Sequence, residues 1–322
     1  MAKKGIKIAV TYVITILLTL LIIGGICYLL LERMLNPQRK EVTPDPDQIS
    51  ADASYVPAAE NNKTALFILD AEKRMSGCCF MVVRMIATEQ RIVFMPVPAD
   101  TCARLDGGEN SVYEYYRMSG SRKAVSAVEN ALGIEIDYYL KLNKDSFKDM
   151  ASIFGGTDYN VPYNLIYSNP DTGEETIYRE GESYMDGDAI RKLITYPLYD
   201  GGEEYRAKVM GVVITDLINK NVTENFSSHM DEYFSMVINS SVETDFTAYD
   251  YAEQSEAMKY VSESNEYISR FVNVSGTYNE NSLFVLDEGF LKAVPEFLKL
   301  DTVQEDTATD SVTVTTELSF PE

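Results

Sequence analysis

Apolar positions are densest between residues 64 and 101, where three short runs follow one another: residues 65–69, 79–85 and 91–97. Each is rich in Val, Ile, Phe and Met and is bounded by polar or turn residues. Continuous apolar runs of this length read as strands buried on both faces, as in the middle of an α/β sheet. Thr88, Glu89 and Gln90 separate the second run from the third, which makes these two a hairpin. The third run ends in Pro96, Val97 and Pro98. Two prolines so close remove two ladder donors, so the chain leaves the sheet there and carries Asp100 and Thr101 on a loop at the strand's end. Strand ends are where open α/β sheets bind ligands.

Downstream the period changes. Residues 102–110 read as a polar loop, and Ser121 as an N-cap. Val125, Val128 and Leu132 then recur at helical spacing until Gly133 stops the helix. Residues 134–142 alternate apolar and polar, the mark of a half-buried strand. Phe147, Met150, Ala151 and Phe154 form the next helical stripe, closed by Gly155 and Gly156. A short strand at 159–161, a turn-rich stretch at 164–182 and a short helix at 186–194 follow. Amphipathic spacing predicts further helices over 205–217, 230–237 and 249–260, and late strands over 270–274 and 282–286. Strands alternating with helices predict one layered αβα domain with a central mixed sheet.

The two ends differ from this middle. Residues 8–31 are almost free of charge and long enough to span a bilayer, which needs about 20 apolar residues. No small-residue cleavage pattern follows, so they read as an uncleaved transmembrane anchor. Lys3, Lys4 and Lys7 place residues 1–7 in the cytoplasm and the rest outside. Residues 32–62 contain a Pro-, Asp- and Ala-rich linker, residues 63–298 the folded domain, and residues 299–322 a Thr-, Asp- and Glu-rich tail expected to be disordered.

A formal net charge of −22 argues against nucleic acid as a partner. The single histidine, His229, sits in a polar helical stretch and reads as a surface side chain. Cys78 and Cys79 lie opposite residues 97 and 98 in a hairpin centred near Thr88, with Cys102 a little beyond. Two readings stand: three buried free thiols, or, outside the cell, a disulfide from Cys79 or Cys78 to Cys102. Tyr113, Tyr115 and Tyr116 could stack on a sugar but read first as a helix face or loop cover.

Several stretches taken together resemble the LytR-CpsA-Psr (LCP) proteins of bacterial envelopes. They are residues 94–101 (Phe-Met-Pro-Val-Pro-Ala-Asp-Thr), 129–143, 147–156, 180–189 and the helix beginning near Arg206. The resemblance covers roughly residues 63–298 and rests on order and spacing more than on any one motif. It implies a membrane-anchored extracellular α/β domain. It also implies transfer of a glycopolymer from a polyprenyl-pyrophosphate lipid to peptidoglycan. Such a site needs arginines to clamp the pyrophosphate, a carboxylate to hold magnesium, and an apolar slot between sheet and helices for the prenyl tail.

At several of those positions this chain departs from the family. Ala99 stands where an arginine precedes Asp-Thr, and Gly77 where a carboxylate is expected, with Arg74 displaced by one place. Thr195 and Pro197 replace the paired arginines of the helix at 186–194, and Val209 and Met210 replace polar positions beyond Arg206. What the resemblance leaves is Asp100 and Arg206 as catalytic candidates, Asp100 as the metal ligand, and Thr101, Arg74 and Asp200 as ligand-binding candidates. Two functions follow. One is a degenerate member that binds a polyprenyl-linked lipid, a wall polymer or a partner protein without chemistry. The other is a working phosphotransferase with rearranged arginines. The first predicts an elongated apolar cavity opening near Asp100 with few basic residues at its mouth.

Overall fold

The computed structural model describes residues 55–300 except 73, 223, 241, 242, 265 and 266. The anchor expected over residues 8–31 and the tail from residue 301 lie outside the described residues. Among the described residues no helix is long and apolar enough to cross a membrane.

The three apolar runs become β1 (Lys63–Asp70), β2 (Cys78–Ile86) and β3 (Arg91–Val97), in antiparallel succession. A 3-10 turn at Ala87–Glu89 closes the β2–β3 hairpin, and Gln90 reverses the chain with φ of 50°. This turn sets Phe80 opposite Val97, one residue away from the register expected from a turn centred on Thr88. The hairpin β4 (Cys102–Leu105) and β5 (Gly108–Ser111) follows where a loop was expected.

Helix α1 (Val112–Ser119) comes next, its first turn capped by the Ser111 hydroxyl, which accepts from the Glu114 amide at 3.0 Å. It carries the tyrosines at 113, 115 and 116 on a buried face. Helix α2 (Ser121–Leu132) starts one residue earlier than expected: Gly120 is its N-cap, and the Ser121 hydroxyl instead donates to Glu243. Gly133 ends α2 in the left-handed region, φ 67°, as a C-terminal glycine does.

Strand β6 (Tyr138–Asn143) leads directly into α3 (Lys144–Ile153), which Asn143 caps. The turn-rich stretch holds more strand than its sequence suggests. β7 (Thr157–Val161) pairs with β10 (Gly181–Met185), and β8 (Leu165–Ser168) pairs with β9 (Glu175–Tyr178). Then come α4 (Gly187–Ile194), capped by Asp186, α5 (Gly202–Asn221), α6 (Glu224–Ser228), α7 (Met230–Ser240), β11 (Glu243–Thr244) and α8 (Ala248–Ser262). The described chain finishes with β12 (Ser269–Phe271), β13 (Gly276–Tyr278), β14 (Phe284–Leu286) and α9 (Glu288–Leu298). Pro295 lies inside α9 and reads in sequence as a helix breaker, which hides this helix from a pattern search.

The main sheet has the order β11-β6-β1-β2-β3-β12. β6 and β12 run parallel to β1 and β3, while β2 and β11 run against them, so the sheet is mixed as expected. Successive side chains on β1 and β2 go to opposite faces. Leu66, Ile68, Cys78, Phe80 and Val82 join one core with α1, α2 and α9. Leu69, Cys79 and Met81 join a second core with α3, α4 and α5. That double burial is why β1 and β2 read as unbroken apolar runs. The part of the linker that is described, residues 55–62, already packs on the domain: Tyr55 meets Tyr260 edge-on at 5.7 Å between centroids.

Candidate functional site

The parallel strands β1, β3 and β6 all end at the same edge of the sheet, at Asp70, Val97 and Asn143. This edge carries two very different surroundings for charge.

One is closed. Asp100 follows β3 in the turn where the Thr101 amide donates to the Pro98 carbonyl at 3.0 Å. The Phe284 amide of β14 donates to the Asp100 carbonyl, also at 3.0 Å, and the Thr101 side chain is fully buried. Burial pushes the Asp100 carboxyl from 3.8 up to about 6, against the pull of a hydrogen bond from the Tyr278 hydroxyl, and nearby Glu203 pushes it the same way. Its Oδ1 and the Thr101 hydroxyl have no partner among the described residues.

Arg206 approaches from α5 but is wholly engaged. Its guanidinium donates to Cys79 Sγ (3.1 Å), the Ile194 carbonyl (2.9 Å) and the Cys78 carbonyl (3.0 Å), and pairs with Glu203. Burial pushes the Cys79 thiol up, opposed by this same guanidinium. Arg206 therefore ties α5 to α4 and to the start of β2, and no donor is left for a ligand.

The disulfide reading is corrected here. Cys78, Cys79 and Cys102 are free thiols. Adjacent residues of a strand face opposite ways, so Cys79 enters the core under Arg206 and Cys78 the other core, while Cys102 is carried off on β4.

The other surrounding is open. A cleft of about 440 Å3 lies between the end of β1 and α1, lined by Asp70, Glu72, Cys78, Tyr113, Tyr116 and Lys141, with Arg117 at its side. The Tyr116 hydroxyl donates to Asp70 at 2.5 Å. Burial and this carboxylate hold the phenol protonated, well above its ordinary value. Lys141 Nζ stands 3.7 Å from Asp70, 4.0 Å from Glu243 and 5.3 Å above the Tyr116 ring. Burial first, then the Asp70 charge, pushes the Cys78 thiol up, so it is a neutral wall of the cleft. Aromatic faces beside paired acids and bases are what a saccharide recognises.

The remaining expected residues scatter. Arg74 sits on the β1–β2 loop, paired with Glu72 and bonded to the Tyr167 hydroxyl. Asp200 is exposed on the turn between α4 and α5, its amide donating to the Tyr163 hydroxyl at 3.0 Å. Asp100, Arg206, Arg74 and Asp200 thus do not share one pocket. Asp70 also ends a strand, as Asp100 nearly does, and that position is its one signal in the sequence. Lys141 and Tyr116 could not be found from spacing, because only tertiary contact brings them to it.

Two apolar cavities of about 220 and 290 Å3 share Met85, Ile92, Val237 and Met258 beneath α7 and α8. They lie at the β2–β3 turn, the opposite end of the strands from Asp100, which corrects the expectation of an apolar mouth there. At the Asp100 end, Phe284 and the Arg206–Glu203 pair fill the space instead.

Magnesium commonly takes one or two carboxylates plus substrate phosphates. Among the described residues no three His, Cys, Asp or Glu side chains converge on a metal position. Asp70, open to its cleft, fits the sparse arrangement. Asp100, 8% exposed and facing Glu203, does not.

The fold is shared with solved structures. A transcription regulator from Eubacterium siraeum, described as putative, superposes with a TM-score of 0.67 at 23% identity, covering 81% of this chain and 99% of that one. A structure described as TagT bound to LI-WTA gives 0.57 at 15% identity, covering 77% and 95%. In sequence, the polyisoprenyl-teichoic acid–peptidoglycan teichoic acid transferase TagV of Bacillus subtilis is 26% identical over 164 residues, 43% of this chain and 42% of that protein. The chain spans about half the length of the curated TagV and TagU relatives from Bacillus subtilis that it matches. A model of the LytR_cpsA_psr family matches residues 70–299, which is most of the folded domain, and the chain belongs to that family.

Proposed function

We propose that this protein is held at the cell membrane by residues 8–31, with residues 63–298 outside, and binds a polyprenyl-linked or wall glycopolymer without transferring it. The teichoic acid chemistry named for its relatives supports this ligand class. The observation that carries the reading is the closed corner: Arg206 spends its guanidinium on Glu203, Cys79 and two carbonyls. Transfer from a pyrophosphate needs donors at the leaving oxygens, and each one lost typically lowers turnover about 100- to 1000-fold. Polymer binding needs the Asp70 cleft alone, and the apolar cavities beneath α7 and α8 have the chemistry a prenyl chain requires.

The test incubates the full-length protein with a polyprenyl-pyrophosphate-linked polymer and magnesium. It measures both retention of the polymer and released phosphate. Retention without release is expected. Asp70→Asn should weaken retention about tenfold or more, since a charged hydrogen-bond acceptor is lost, and Asp100→Ala should change it little.

One observation favours a second reading. Asp70 is an open strand-end carboxylate with Lys141 at 3.7 Å. Magnesium held there would neutralise a leaving phosphate. Robust phosphate release abolished by Asp70→Asn would replace the binding reading with a transferase centred on Asp70.

A further inference from the structure

In the open cleft beside Asp70 the central charges face one another without closing. Lys141 Nζ stands 3.7 Å from Asp70 Oδ2 and 4.0 Å from Glu243 Oε2. Both separations exceed hydrogen-bond length, so the ammonium spends a donor on neither carboxylate. Asp70 Oδ2 accepts from Tyr116 at 2.5 Å, while its Oδ1 faces the weak Cys78 thiol donor at 3.8 Å. The other charged side chains lining the cleft sit in closed pairs: Glu72 with Arg74, and Arg117 with Glu114 at 2.7 Å.

Glu243 lies directly across from Lys141 in the antiparallel β11–β6 pair, where side chains interact. Its carboxylate is fixed by hydroxyls from two other elements. Tyr139, two residues before Lys141 and so on the same face of β6, donates to Oε1 at 3.0 Å. Ser121, the first residue of α2, donates to Oε2 at 2.9 Å. This second bond takes the Ser121 hydroxyl away from capping and leaves Gly120 as the N-cap of α2. β11 is itself pinned to β6: the Thr244 hydroxyl donates to the Tyr139 carbonyl at 2.7 Å, and Asp245 accepts from the Tyr139 amide at 2.8 Å. A carboxylate held this firmly draws the ammonium away from Asp70. The lysine stem is flexible, so without that second pull the ammonium closes on Asp70, as Arg206 has closed on Glu203.

We infer that Glu243 is a positioning residue that holds the Lys141 ammonium short of Asp70, and that the donor and acceptor kept apart in this way take the hydroxyls of a neutral sugar unit. A hydroxyl both donates and accepts, so neighbouring sugar hydroxyls can give a proton to Asp70 and accept one from Lys141. A phosphate has only acceptors to offer, and two carboxylates against one ammonium oppose its charge. The polymer is therefore gripped here by its sugar and not by its phosphate. This rests on the reading of the Asp70 cleft as the polymer site and deepens it. The two fail separately, because a phosphate-free saccharide reports the grip of the cleft whether or not the lipid-linked polymer is retained or transferred.

The experiment titrates the full-length protein with two neutral tetrasaccharides, of glucose and of N-acetylglucosamine, and with inorganic phosphate. Wild type should bind at least one saccharide more tightly than phosphate. Glu243→Gln should weaken that binding about tenfold, as should Lys141→Met, since each removes the use of a charged donor. In the Lys141→Met background Glu243→Gln should have no further effect, which a merely structural role of Glu243 would not produce. A crystal structure of Glu243→Gln should show Lys141 Nζ within hydrogen-bond length of Asp70. Should Glu243→Gln fail to fold, Ser121→Ala removes one of the two hydroxyls that fix the carboxylate and must weaken saccharide binding in the same direction. The inference is overturned if wild type binds neither saccharide, if phosphate binds more tightly than both, or if the soluble variant binds like wild type. Equal losses from Glu243→Gln with and without Lys141 overturn it as well.

Discussion

Arg206 and Arg191 lie on the same side of the sheet, 4% and 3% exposed, and each holds a glutamate. Arg206 takes Glu203 from its own helix, three residues back, and fills its other donors with Cys79 and two main-chain carbonyls. Arg191 also has a local partner in Asp188, but its second, Glu174, comes from a separate hairpin 17 residues away. A buried charge whose partners all sit on the rigid core can only be structural, because nothing can leave without unfolding. A buried charge with one partner on a separate hairpin instead joins two elements that are distant in the chain, here the β8–β9 turn and α4. Burial is nearly equal in the two cases, so the origin of the partner separates them.

The largest effect should come from breaking the fixed pair. Arg206→Met leaves Glu203 buried without its countercharge, and the Cys78 and Ile194 carbonyls lose a donor. Loss of one partner of a buried pair costs about 3–5 kcal/mol. Urea denaturation should show a loss of that size, and a change below about 1 kcal/mol would remove the structural assignment.

Next is Asp100, beside that pair. Its carboxyl titrates at about 6 in the folded protein against 3.8 unfolded. The folded state thus holds the proton more tightly. This contribution to stability is complete below pH 3.8 and is lost as pH rises through about 6. The loss is on the order of 2–3 kcal/mol. Asp100→Asn should flatten the pH dependence in that window and be more stable than wild type at pH 7, as read by thermal melts across pH.

Tyr116→Phe tests the open cleft by removing one donor to Asp70. Because that donor serves a charged acceptor, about 1.5–3 kcal/mol is expected if no water replaces it, and less if water does. Denaturation midpoints should move by no more than this, while polymer binding falls. An unchanged affinity would place the ligand elsewhere.

The smallest effect belongs to the outer face of the β8–β9 hairpin. Ile166 and Ile177 are cross-strand neighbours on the β8–β9 hairpin, 65% and 60% exposed. Ile166→Thr should change stability by no more than about 0.5 kcal/mol. A larger loss would mean that this outer face packs against something.

What the sequence determined by itself is the sheet and its layers. The unbroken apolar runs before residue 98 could only be strands covered on both faces, because an exposed face would have required alternation. Gly133 marked a helix end through local backbone chemistry that acts within a few residues. The order of motifs was enough to identify the family over residues 70–299. Tertiary structure alone decided what each charge does. Asp70 and Lys141 meet because β1 and β6 are parallel neighbours, although 71 positions separate them in the chain. Arg206 looked available because an arginine on an amphipathic helix is usually solvated, and it is buried because Cys79 and two strand and helix ends converge on it. Patterning of apolar residues is a short-range signal written along the chain. Whether a charge is satisfied, strained or free depends on partners that only the folded topology brings together.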